Sequence, residues 1–283
     1  MPESLVINLV SESTIPHQYL KGQYLHRLFL ALVSAVDVDL GQTLQTVRHA
    51  AFTLSPLQTT HQPQPTSARN LKFLLPRQPL TPFQYTNASV PAGSHCWWRI
   101  SLLDDALFTK LASNLERVVA GRSWYLGPAR LHVTNFLPTN VPEWTSQGTY
   151  QELYERASAT HRSLTFELIT PAIFRQGEQI SPLPTRDAIF HGLRKRWNRY
   201  SGLVFAPDLI DPIIATSFSI HTVKLPGKQP TMGCLGKLTF QIADTSDPLS
   251  IKRINALAEF SRYCGIGYKT ASGLGMVRTT ATE

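Results

Sequence analysis

Hydrophobic and polar positions along the chain follow two rhythms that replace each other in a set order. Residues 4–11 (SLVINLVS) are rich in β-branched side chains and contain no breaker, which predicts a strand. Past Pro16 the period lengthens. Leu25, Leu28, Phe29, Leu32, Val33 and Val36 recur at helical spacing within 17–37 and predict an amphipathic helix. The run 50–57 (AAFTLSPL) predicts a short strand ending at Pro56, and the polar, proline-rich run at 59–70 reads as a surface loop. Residues 95–104 predict a strand, 104–119 a helix that Asp104 or Asp105 can cap, and 129–138 a returning strand.

That order, β-α-β-β-α-β, is the split βαβ arrangement of a ferredoxin-like domain. It then recurs. Residues 163–174 predict a strand, 184–202 a helix, 213–225 and 237–243 two strands, 247–265 a helix, and 274–280 a final strand. Only the order of elements repeats, not the residues. The predicted fold class is α+β, two tandem ferredoxin-like (RRM-like) domains over 1–140 and 141–283.

Composition supports a packed core: 42% of the 283 residues are hydrophobic and 10% aromatic. The formal net charge of +8 favours a polyanionic partner. Its distribution strengthens that reading. No acidic residue lies between Asp39 and Asp104, while Arg48, Arg69, Lys72, Arg77 and Arg99 do. A second cluster sets Arg194, Lys195, Arg196 and Arg199 within six positions, without the interleaved glutamates of a merely solvated helix face. Cys96, Cys234 and Cys264 form no CxxC pair and fit a reducing, cytoplasmic setting. The N-terminus lacks signal-peptide features, and the longest apolar run, LFLALVSAV, is too short to span a bilayer, so no membrane association is expected.

The stretch 264–280 (CGIGYKTASGLGMVRTT) suggests a phosphate cradle. It is not a Walker A loop, because Tyr268 rather than glycine precedes Lys269–Thr270. It is not a dinucleotide fingerprint either: it follows a helix, opens a strand, and has Thr270 where the third glycine belongs. The use that remains is backbone N–H groups approaching an anion past glycines that lack Cβ, with Lys269 as a point charge, as a clamp for an RNA backbone.

The chain resembles the CRISPR-associated repeat-cleaving endoribonucleases, which mature CRISPR RNA, a family (number six of its series) within the repeat-associated mysterious protein (RAMP) superfamily. The resemblance rests on GIGYKTASGLGMV, FELITPAIFR with Pro171, LPTRDAIFHGLRKRWNRY, GCLGKLTFQI, WWRISLLDDALFTKL and FTLSPL, which run in family order from about residue 5 to 278. It implies two ferredoxin-like domains, a basic cleft, and metal-independent cleavage within the repeat that leaves a 2′,3′-cyclic phosphate. Implied partners are CRISPR repeat RNA and other CRISPR effector subunits. A non-catalytic RNA-binding subunit of the same superfamily is the alternative.

Metal-free cleavage makes the substrate's 2′-hydroxyl the nucleophile. The protein must take its proton, protonate the 5′-oxygen, and stabilise charge on the phosphorane. Histidine suits the proton transfers. No paired carboxylates or His/Asp cluster points to a metal, and no cofactor is expected. The family places its catalytic histidine in or just after the first helix. Two of nine histidines fit: His26, on the border of the first helix's apolar stripe, and His49, beside Arg48. Many members carry Leu-His in the segment after that helix, where this chain has Leu44–Gln45. The base role therefore falls to His49 or His26. Lys21, Tyr24, Arg27 and Ser55 are candidates for charge stabilisation or proton positioning. Arg48, Arg194, Lys195, Arg196, Arg199, Gly265, Gly267, Lys269, Thr270, Gly273 and Gly275 are candidates for RNA contact, with His191 beside the basic cluster. Trp197 reads as core.

Overall fold

The structure, a computed structural model, describes residues 2–46, 50–59, 88–112, 114, 122–138, 148–225 and 231–280. In the first domain β1 (Glu3–Ser11) leads into α1 (Gly22–Val36) and α2 (Val38–Thr46). There follow β2 (Phe52–Leu54), β3 (Gln58–Thr59), β4 (His95–Leu102), α3 (Asp105–Ala112), β5 (Trp124–Leu126) and β6 (Ala129–Pro138). The sheet order is β2-β4-β1-β6-β5, antiparallel throughout, with β3 also on β4. Setting aside β3 and the added edge strand β5, this is the ferredoxin-like order.

Strand alternation sorts this sheet's two faces. Ile7, Phe52, Leu54, Trp98 and Ile100 lie on the face covered by Leu25, Leu28, Phe29 and Leu32 of α1, all in one buried core. Ser4, Thr53, Arg99 and Ser101 share the opposite face.

The second domain contains α4 (Tyr150–Arg156), β7 (Ser163–Ala172), a hairpin of β8 (Phe174–Gln176) and β9 (Gln179–Ser181), α5 (Arg186–Tyr200), β10 (Ile213–Leu225), β11 (Thr231–Ile242), α6 (Pro248–Cys264) and β12 (Val277–Thr280). Its four-stranded sheet has the order β10-β11-β7-β12, again the ferredoxin-like arrangement. Phe166, Leu168, Leu238 and Phe240 pack with Phe190 and Trp197 of α5 and Phe260 of α6. Trp197 is fully buried in that core. Both helices begin at side-chain caps: Thr185 accepts from Ala188 N, and Asp247 from Leu249 N and Ser250 N.

Some elements carry little sequence signal. Helix α2 follows directly on α1 because Asp37 ends one helix and its Oδ1 accepts Leu40 N (2.9 Å) at the start of the next. A Cβ on Gly41 would lie 2.0 Å from Ser34 Oγ, so glycine lets the two helices approach closely. Helix α4 and strands β5, β8 and β9 are too short to impose a period on the sequence. The expected domain boundary near 140 lies outside the described residues. No helix among them is long and apolar enough to cross a membrane.

The polar face of the first sheet rests on the C-terminal end of α6. Thr53 Oγ1 donates to Tyr263 O (2.7 Å), and Arg99 donates to Arg262 O (2.6 Å) and Ser4 Oγ (2.9 Å). Arg99 therefore does not belong to the basic surface expected for it. It is 6% exposed, and burial lowers its pKa to about 10, which keeps the guanidinium charged at neutral pH. Position in the pleat, not the surrounding charge pattern, sets its role.

Candidate functional site

The glycine-rich loop is built against the second domain and reaches into the first. Helix α6 ends at Gly265, whose φ of 65° suits glycine, and the chain turns back on itself. Ile266 N donates to Gly275 O (2.8 Å), Tyr268 N to Ile173 O (2.7 Å) and Gly275 N to Pro171 O (2.9 Å). A Cβ on Gly275 would come within 1.9 Å of Ile266 O, so this crossing requires glycine.

From α5, Arg196 gathers the loop's carbonyls: its guanidinium donates to Cys264 O, to Gly265 O (3.3 Å), to Gly267 O (2.9 Å) and to Thr270 Oγ1 (3.4 Å). A planar, multi-donor head group suits this bundling of acceptors. Lys269 takes a left-handed conformation (φ 61°, ψ 33°) just before the 3-10 turn Thr270–Ser272. The N–H groups of Lys269, Thr270 and Ala271 donate to no acceptor among the described residues. A left-handed residue followed by a right-handed one turns successive N–H groups inward into an anion-binding nest.

The far side of the loop meets α1. A Cβ on Gly22 would lie 1.9 Å from Ser272 O, and one on Gly273 would lie 3.3 Å from Pro56 N. Ala271 packs against the first domain's core. Loop, helix start and the end of β2 therefore converge. Lys21 is the N-cap residue of α1, whose first turn has no acidic residue and no side-chain cap, so the positive end of the helix dipole faces this junction. Tyr24 is half-buried, 4.9 Å from the Tyr19 ring, and exposed Arg27 lies 5.9 Å from the Tyr24 ring centroid. One turn further on, half-buried His26 sits 5.5 Å from the Phe52 ring. Burial lowers its pKa below the usual histidine value, which leaves a neutral imidazole at neutral pH.

The other sequence candidates divide by availability. Ser55 is buried, its hydroxyl donating to Pro56 O (2.8 Å) and accepting from Arg99 N (2.9 Å), which makes it a brace between β2 and β4. Arg194 donates to Phe205 O (2.9 Å) within its own domain. Lys195 and Arg199 are exposed and four residues apart on one face of α5. Gly265, Gly273 and Gly275 are buried with their N–H groups bonded inside the loop and its support; Gly267 presses on Ile173, between β7 and β8, where a Cβ would lie 2.4 Å from Ile173 O. His49 and Arg48 lie outside the described residues. Gly22 and Ala271, which complete the junction, escaped the sequence reading; the signal was a glycine at the first position of a helix, where intrinsic propensity disfavours it. No group of three or more His, Cys, Asp or Glu side chains lies together as a metal site among the described residues.

The model of the CRISPR Cas6 N-terminal domain matches residues 1–155, and that of the CRISPR-associated endoribonuclease Cas6 matches 166–277. No curated protein matches. Among solved structures, a Cas6 product complex is similar at 22% identity and a TM-score of 0.75, covering 99% of this chain and 100% of that one. Thermus thermophilus Cas6 gives 22%, 0.68, and 99% and 98% coverage. A Cas6-related protein of Pyrococcus furiosus gives 13%, 0.60, and full coverage of both chains. These likenesses carry the tandem ferredoxin-like fold, and the family models carry the kinship. The chain belongs to the CRISPR-associated Cas6 family, endoribonucleases of CRISPR RNA processing.

Proposed function

We propose that this protein cleaves CRISPR precursor RNA within its repeats, without a metal ion, by attack of the ribose 2′-hydroxyl on the adjacent phosphate. The 2′-oxygen loses its proton to an imidazole and bonds to phosphorus. The 5′-oxygen leaves and takes a proton, so the products are a 2′,3′-cyclic phosphate and a free 5′-hydroxyl. Redox state does not change and no water is consumed.

One observation carries this reading: the nest-bearing loop of the second domain is docked on the N-terminus of α1, with His26 one turn along that helix. The junction offers what a phosphorane needs, namely the positive end of the α1 dipole with Lys21 at its cap, and a neutral imidazole nearby. His26 and His49 share the acid and base roles. Lys21 and the helix start, with Tyr24 and Arg27 beside them, stabilise developing charge. Lys195 and Arg199 provide phosphate contacts on the adjoining surface. Support for RNA as substrate comes from family membership and from relatives solved as product and substrate-mimic complexes.

The test is incubation with repeat RNA in EDTA, followed by end-group analysis. Expected are cyclic phosphate termini, and a loss of at least about a hundred-fold in rate in His49→Ala or His26→Ala. Cleavage abolished by EDTA refutes the metal-free mechanism. Normal cleavage by both variants refutes the histidine assignment. RNA held intact over long incubation marks a binding-only protein.

A further inference from the structure

We propose that Tyr268 and Arg175, with the amides of Lys269, Thr270 and Ala271 that are unbonded among the described residues, form a single-nucleotide subsite for an unpaired stretch of RNA. The base stacks on the Tyr268–Arg175 pair and the adjoining phosphate enters the nest. This subsite rests on the reading of RNA as substrate and adds a binding element separate from the cutting site.

Tyr268 stands where no packing argument needs an aromatic ring. It is 37% exposed, and it belongs to neither domain's core. Its backbone is nevertheless pinned, since its N–H donates to Ile173 O (2.7 Å) and Gly267 before it fits against the same carbonyl only without a Cβ. A ring held out on a rigid turn loses little entropy when it binds.

Exposed Arg175, on β8, places its guanidinium carbon 5.8 Å from the ring centroid and is steered by a bond from its Nε to Gly177 O (3.0 Å). Exposed Lys269 brings Nζ to 5.7 Å. Tyrosine and arginine planes both stack on nucleobases, whatever the base. Two cations already at the ring select against a cationic ligand. Three adjacent amides, unbonded among the described residues, can donate only to an anion or another acceptor, and they begin one residue past the ring. Aromatic plane, flanking cations and anion nest together match one nucleotide, base beside phosphate.

Position separates this subsite from the chemistry. Tyr268 lies on the β8 flank of the loop, whereas Ser272 and Gly273 form the opposite flank against α1 and Pro56. The stacked nucleotide therefore flanks the bond that is cut. Stacking contributes affinity and register without reading the base.

The test measures binding of repeat RNA at fixed salt, together with single-turnover cleavage at saturating protein. Tyr268→Ala should weaken binding about ten-fold, Tyr268→Phe and Tyr268→Trp by less than about two-fold, and Arg175→Ala by an intermediate factor. The saturating cleavage rate and the melting temperature should be unchanged in all of them. One abasic nucleotide in the RNA should reproduce the loss with the wild type and add nothing to Tyr268→Ala. Wild-type binding by Tyr268→Ala overturns the subsite, as does an equal loss in Tyr268→Phe, which would implicate the hydroxyl. If the wild type itself fails to bind repeat RNA, the functional reading falls and the subsite falls with it.

Discussion

Within one turn of α5, chemically similar cations have different tasks. Arg196 faces inward and bundles the carbonyls of the glycine loop, while Lys195 and Arg199 face solvent. The side on which each residue falls follows from the helical period once Trp197 is buried, but what lies on that side is set by the rest of the chain. His26 is a comparable case. The apolar stripe of α1 placed it at a border, and the ring of Phe52 makes that border desolvating. Its folded pKa is lowered, so the unfolded chain binds more protons in acid, and stability is present above the usual histidine value near 6.5 and falls as pH drops through the folded value. Melting temperature followed from pH 7 down to pH 5 should therefore decline, and the decline should be shallower in His26→Phe. An identical pH profile in that variant would refute the linkage.

Among elements, the join between α1 and the glycine loop leaves no room for an added atom at Gly22. By helix propensity alone, Gly22→Ala should stabilise α1 by up to about 1 kcal/mol. The junction reverses that expectation, because the added Cβ would lie 1.9 Å from Ser272 O and 2.7 Å from the attached carbonyl carbon, both backbone atoms. Loop and helix must separate, and a misplacement of about 1 Å at a reacting centre can cost on the order of a hundred-fold. Gly22→Ala should therefore fold, with unchanged far-ultraviolet circular dichroism, and lose at least about ten-fold in cleavage rate. Full activity would show that the loop can move without consequence. The glycines that make the loop recognisable in sequence are mainly those that let it fold on itself: Gly265, Gly273 and Gly275 are buried. The groups left available, Tyr268 and the amides from Lys269 to Ala271, sit between them.

For the molecule as a whole, the polar face of one ferredoxin-like sheet lies on the last helix of the other domain, with Arg99 inside that seam. A buried cation bonded across a seam is hard to replace, because its loss removes the bond it donates across the seam to Arg262 O. Arg99→Met should cost about 2–4 kcal/mol in denaturant unfolding. It should also divide one cooperative transition into two, read as separate midpoints for tryptophan fluorescence and circular dichroism. A wild-type midpoint would mean that the seam is held by other contacts.

Sequence alone determined the repeated β-α-β-β-α-β order, the buried Trp197 and the family, because strand and helix periods are local properties and the glycine motif is a contiguous string. It did not reveal α2 and α4, whose few turns impose too little period, nor the internal use of Arg99, Arg196 and Ser55. Those roles, and the meeting of Gly22 with Ser272 from opposite ends of the chain, were decided by tertiary structure. The physical reason is that a side chain's type states which bonds it can make, while only the packed neighbours determine whether those bonds are already satisfied inside the protein or remain open to a ligand.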